Sequence, residues 1–157
     1  ERISRNLRPG VLDELGLVAV LGDTGAEFAK RTGVAVKLVC VELAARLPAD
    51  TELALYRIFQ EALHNVEQRA RARHVLVQLK LPGDTVQLTI TDDGIGFNKV
   101  KPAAGRKRND SLDLLGMSER ASYVGGTLKI KSRRTGTEIE VRIPLPSRAT
   151  AANLTDL

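Results

Sequence analysis

The clearest signal along the chain is a change of hydrophobic period between segments. From Asp50 to about Ala70, Leu55, Ile58, Phe59, Ala62, Leu63 and Val66 recur every three or four positions, the stripe of an amphipathic helix that Asp50 or Thr51 can cap. Two segments of period two follow, His74 to Leu81 and Thr85 to Thr91, joined by Pro82-Gly83-Asp84. They read as strands, the first with Val75, Val77, Leu79 and Leu81 on one face. Upstream, the pattern predicts the tail of a helix over residues 1 to 8, ended near Pro9-Gly10. A helix from Leu12 or Leu17 to Arg31 follows, closed by Gly33, and then a strand from Val34 to Val41. Downstream, Phe97 to Asp110 is polar and aperiodic. A helix runs from about Ser111 to Val124, and a hairpin pairs Thr127 to Ser132 with Thr137 to Ile143 around Arg134-Thr135-Gly136. Pro144 and Pro146 end the sheet, and the tail from Ser147 is expected to be disordered. Such elements predict an α+β fold, a two-layer sandwich.

Composition narrows this little. The 157 residues suit one domain, 43% of them are hydrophobic, and aromatics are 3% with no Trp, so the core is aliphatic. Cys40 is alone, which excludes an intrachain disulfide. No apolar run approaches the ~18 residues that span a bilayer. The first residue is Glu1 and the chain opens in a helical pattern, as expected of a piece of a larger protein. The net charge of +5 admits an anionic partner. The basic residues, however, fall in small clusters at Arg69-Arg71-Arg73, Arg106-Lys107-Arg108 and Arg133-Arg134, with no aromatic interleaved. Solvated surface explains them better than nucleic-acid binding.

Three polar positions break the apolar pattern. In the strand Val86 to Asp92, parity puts Asp92 on the same face as Val86, Leu88 and Ile90. A carboxylate there costs free energy unless something donates to it. Gly94 and Gly96 follow and let backbone approach a ligand. An inward carboxylate beside an open backbone suits a donor-bearing ligand such as an adenine amino group. Equally, the segment is a strand ending in an Asp-Gly turn. On the helix from Asp50, Arg57, Glu61, Asn65 and Gln68 or Arg69 form a polar stripe bordering the apolar face. The Asn65 oxygen is a hard ligand suited to Mg²⁺, and Glu61 could accept a proton or orient a nucleophile. The competing reading is a solvated helix flank. Thr137 repeats the Asp92 pattern, sharing parity with Ile139, Val141 and Ile143.

In their order these segments resemble the ATP-binding domain of sensor histidine kinases, in the superfamily that includes gyrase, Hsp90 and MutL. Tyr56-Arg57-Ile58-Phe59-Gln60-Glu61-Ala62-Leu63-His64-Asn65-Val66 is similar to the family's Asn-containing helix motif. Thr91-Asp92-Asp93-Gly94-Ile95-Gly96-Phe97 is similar to its Asp-x-Gly-x-Gly box. Leu114-Leu115-Gly116-Met117-Ser118-Glu119-Arg120-Ala121 with Gly125-Gly126-Thr127-Leu128 resembles the helix after the ATP lid and the next strand. Gly136-Thr137 and Ile143-Pro144-Leu145-Pro146 match as well. Asn6-Leu7-Arg8-Pro9 and Leu12-Asp13-Glu14-Leu15-Gly16-Leu17 are similar to the junction between dimerisation and catalytic domains in nitrate-sensor-like kinases.

The resemblance implies a Bergerat-type fold, a mixed sheet with helices on one face. It implies three segments: residues 1–10 ending a dimerisation helix, 11–146 an ATPase domain, and 147–157 a tail. Asp92 would accept from the adenine amino group. Gly94, Gly96, Leu115, Gly116, Arg69 and Thr137 would border the nucleotide, with residues 97–112 as a lid. Asn65 would ligate Mg²⁺ on the phosphates, and Glu61 with Asn65 would form the catalytic pair. The implied reaction moves the ATP γ-phosphate to a histidine of a dimerisation domain, then to a response regulator. The parent would be a cytoplasmic or membrane-anchored homodimer, and this piece a monomer or weak dimer.

Two departures stand out. Ser111-Leu112-Asp113 replaces a Gly-x-Gly, placing Asp113 either against the phosphates or as an N-terminal helix residue, and Gln68 replaces a family Lys. No phosphoacceptor motif surrounds His64 or His74, so self-phosphorylation is not expected. Alternatives of the same fold are a docking domain with impaired nucleotide binding and an anti-sigma-type kinase acting on Ser.

Overall fold

The computed structural model describes residues 9–94 and 107–146. Over these, the chain forms α1 (Pro9–Leu15), α2 (Leu17–Thr32), β1 (Ala35–Cys40), α3 (Ala49–Asn65), β2 (His74–Lys80), β3 (Thr85–Asp92), α4 (Lys107–Tyr123), β4 (Thr127–Arg133) and β5 (Gly136–Pro144). A single π-helical turn, Val66–Ala70, extends α3.

The five strands form one mixed sheet in the order β1-β2-β3-β5-β4. Only β1 and β2 are parallel, and α3 lies between them in sequence, as a parallel pair requires a long crossover. The other neighbours are antiparallel. Alternation sets the two faces. Val75, Val77 and Leu79 of β2, Val86, Leu88 and Ile90 of β3, and Ile139, Val141 and Ile143 of β5 are all buried. They meet Leu17, Val20, Leu21 and Phe28 of α2, the expected stripe of α3, and Met117 and Ala121 of α4 in one core. The opposite face carries charge in register, with Lys129 beside Glu140 and Lys131 beside Glu138. Helices on one face and polar side chains on the other give the two-layer α+β sandwich.

Element ends match expectation in part. The first described helix runs Pro9–Leu15, and the helix expected over residues 1 to 8 lies outside the described residues. Of the two starts expected for the second helix, Leu12 and Leu17, the structure has Leu17, with Gly16 at φ 87° dividing α2 from α1. Neither Asp50 nor Thr51 caps α3. The helix starts at Ala49, with Pro48 before it. The helix after the long polar segment is described over Lys107–Tyr123, a range that includes Ser111-Leu112-Asp113. Residues 1–8, the stretch 97–106 and the tail from 147 lie outside the described residues.

A buried carboxylate fixes the amino-terminal helix to α3. Glu52 is 1% exposed. It accepts from Arg46 Nε at 3.1 Å and Arg46 Nη2 at 2.6 Å. The same guanidinium donates to the carbonyls of Asp13 at 2.7 Å and Leu12 at 3.2 Å, which end α1. Planar, multi-donor geometry is what a guanidinium supplies and an ammonium does not. Arg46→Ala should therefore lower the urea midpoint markedly, because it strands a buried charge. Arg46→Lys should recover only part of the loss, and equal midpoints for all three proteins would contradict this role.

Candidate functional site

The site is built at one end of the sheet, where β3 and β5 pair. Asp92 is the last residue of β3 and stands opposite Thr137 in the antiparallel register. Both obey the parity read from sequence and are buried, at 9% and 5% exposure. The Asp92 Oδ1 accepts the backbone N–H of Gly94 at 3.0 Å. Burial raises the Asp92 pKa, and the backbone N–H groups of Gly94 and Thr137 partly counter it. Gly136 lets β5 come this close. It has φ 145°, and a Cβ on it would meet the Asp92 carbonyl oxygen at 1.9 Å.

Asn65 ends α3 where the helix widens into the π turn. It is 5% exposed, yet neither Oδ1 nor Nδ2 has a hydrogen-bond partner among the described residues. An unsatisfied buried amide costs roughly 1–3 kcal/mol per group and calls for an explanation. Single π turns recur at functional sites. A hard-oxygen ligand left without a partner fits a Mg²⁺ ion that keeps most of its coordination for water and phosphate.

One turn before Asn65, Glu61 is half-buried, with Oε1 3.6 Å from Arg120 Nη2 of α4. Sequence reading did not single out Arg120. It lies in the Leu114 to Ala121 motif and brings a cation to the proposed base. Arg69 falls in the π turn, but its side chain lies outside the described residues. Gly94 is buried beside Asp92, whereas Gly96 lies outside the described residues. Leu115 is exposed. Gly116 lines a cavity of about 440 Å³ between α3 and α4, with Leu53, Arg57, Arg120 and Tyr123, to which Asp92, Asn65 and Thr137 do not contribute. The structure thus joins Asp92, Gly94 and Thr137 directly, and sets Leu115 and Gly116 on the neighbouring helix.

Asp93 is the residue whose part parity could not reveal. Alternation points it away from the core, and indeed it is exposed. Its carboxylate nevertheless turns back onto β2. Oδ1 accepts from the backbone N–H groups of Arg73 at 2.8 Å and His74 at 2.9 Å, and Oδ2 lies 2.7 Å from His74 Nδ1. Slight desolvation acts to raise its pKa, but the His74 and Arg73 hydrogen bonds outweigh it and hold the carboxyl at about 2.

A sequence profile described as the histidine kinase-, DNA gyrase B- and HSP90-like ATPase matches residues 50–147. The chain is 38% identical over 143 residues to the sensor histidine kinase MctS of Rhizobium johnstonii, covering 91% of this chain and 31% of that protein. It is 34% identical over 144 residues to the oxygen sensor histidine kinase NreB of Staphylococcus carnosus, covering 91% and 40%. The chain thus spans roughly a third of the length of such relatives. Among solved structures, the histidine kinase domain of a blue-light activated kinase from Erythrobacter litoralis superposes with a TM-score of 0.67 at 20% identity, over 89% of this chain and 65% of that one. The histidine kinase AdeS of Acinetobacter baumannii does so at 0.64 and 10%, over 83% and 64%. At these identities the solved structures speak for the fold.

Two outcomes follow from the carboxylates. A pKa raised on folding opposes stability once the group ionises, so Asp92→Asn should leave the melting temperature at pH 7 equal or higher. A clear fall in melting temperature would contradict that. Asp93 has the opposite sign. Its stabilisation is complete above the unfolded value of 3.8 and is lost as pH falls towards about 2. Between pH 5 and pH 2 the wild type should lose stability relative to Asp93→Ala, and parallel stability curves would show that the carboxylate contributes nothing.

Proposed function

This chain belongs to the histidine kinase-, DNA gyrase B- and HSP90-like ATPase family, and from that premise we propose that it is the ATP-binding catalytic domain of a two-component sensor histidine kinase. The observation that carries the reading is the buried Asp92 carboxylate, which has two backbone donors and no salt-bridge partner among the described residues. A desolvated acceptor at the mouth of an apolar face recognises a ligand that brings its own N–H. The adenine amino group is such a donor, with Thr137 beside it in register.

At the other end, Asn65 would hold Mg²⁺ against the phosphates. When bound, that ion neutralises charge on the transferring phosphoryl group. The residues of the chain bind and orient. Asp92 and Thr137 would fix the base, Asn65 would anchor the phosphate end, and Glu61, 3.6 Å from Arg120, would orient or deprotonate the incoming nucleophile. Holding ATP for in-line attack is most of what phosphoryl transfer requires of a protein. The nucleophile would be a histidine on a dimerisation domain, with a response regulator as the next acceptor. The printed functions of the relatives, sensor histidine kinases, support this partner set. Residues 1–10 would lead from that dimerisation domain, and the parent would act as a homodimer. The need for ATP as donor supports a cytoplasmic location. Among the described residues, no helix is long and apolar enough to cross a membrane.

Calorimetric titration with ATP tests the reading. Binding in the micromolar to millimolar range, tightened by Mg²⁺, is expected. Asn65→Ala should abolish the Mg²⁺ effect without lowering the melting temperature of the free protein, because it removes two unpartnered buried atoms. A folded protein with no heat of ATP binding would overturn the assignment.

A further inference from the structure

We propose that Asp93 is a positioning residue that holds the two ends of the nucleotide site at a fixed separation; the inference rests on the nucleotide-site reading above. Three features carry it. First, Asp93 grips β2 at its first residues. Its N–H donates to the His74 carbonyl at 3.2 Å, and its carboxylate accepts from the N–H groups of Arg73 and His74 and meets the His74 ring. Four contacts from one residue fix the end of β3 against the start of β2.

Second, the gripped segment is the connection from Asn65. After Asn65 come the π turn Val66–Ala70 and Arg71, the one non-glycine residue with positive φ (50°) among the described residues, and then Arg73 and His74. A left-handed non-glycine residue such as Arg71 persists only where the surrounding structure holds it. Third, Asp93 is flanked by Asp92 and by Gly94, whose N–H donates to Asp92. Any shift of Asp93 moves both the acceptor and its donor. The carboxylate thus ties the adenine end of the site, at Asp92, to the metal end, at Asn65, through Arg73 and His74. Asp92 faces the core and Asp93 faces away, so adjacent carboxylates divide the work, one toward the ligand and one toward the frame.

The test compares Asp93→Ala, Asp93→Asn and Asp93→Glu with wild type in two readouts, nucleotide affinity for ATP against GTP and the amide resonance of Gly94. Asp93→Ala should weaken ATP by about tenfold or more and lower the ATP-to-GTP preference, because Asp92 is no longer aimed. Asp93→Asn keeps an oxygen for the two backbone donors and should stay within about threefold of wild type. Asp93→Glu keeps the charge but is too long to lie on both donors, and should behave like the alanine variant. If Asp93→Ala does not fold, the Asn and Glu variants decide. Lower stability in Asp93→Ala or Asp93→Glu with an unchanged ATP-to-GTP preference would overturn the proposal and leave Asp93 a structural clamp. Should wild type itself bind no ATP, the nucleotide reading fails separately. The Gly94 resonance then decides: altered in Ala and Glu but kept in Asn supports the positioning role, and unaltered in Ala overturns it.

Discussion

A carboxylate buried at the end of a strand, opposite a buried threonine, is the constraint on which the rest of this structure turns. Asp92 sits where core parity demands an apolar side chain, and burial raises its pKa. The surrounding residues are arranged so that this unfavourable placement persists. Val86, Leu88 and Ile90 seat the strand, Gly136 admits β5 within contact of the Asp92 backbone, and Gly94 turns its N–H onto the carboxylate. Groups that weaken a fold while remaining fixed in it are characteristic of binding and catalytic sites.

Asn65 makes the same case from the helical layer. Its amide is buried and unpartnered among the described residues, at the point where a regular helix gives way to a π turn. Two costly polar placements, one at the end of β3 and one at the end of α3, lie on elements that pack into one core. Small-molecule sites take this form, an apolar surface with a few convergent polar groups. Asp93 adds side-chain bonds with the Arg73 and His74 N–H groups to its own backbone bond with His74.

Much of this was legible in the sequence. Period two placed Asp92 and Thr137 on the buried face, and period 3.6 placed the stripe from Leu55 to Val66 in the core, because burial of one face decides both. The family's motifs, in order, pointed to the ATPase fold that the profile match and the superpositions bear out. Element ends were less legible. That α3 starts at Ala49, with neither Asp50 nor Thr51 as its cap, depends on which backbone groups find partners, and local spacing does not encode that. Nor could parity show Asp93 turning back to β2, or Arg46 joining α1 to a buried Glu52, since both depend on contacts between segments distant in sequence.

The most direct test of the central claim, that Asp92 reads an amino group, is the affinity of the protein for ATP against inosine triphosphate, which carries an oxygen in place of that amino group. A site built around a buried acceptor should reject the analogue by roughly a hundredfold or more, because two acceptors would face each other without a proton between them. Equal affinities would contradict the claim and remove Asp92 from recognition of the base.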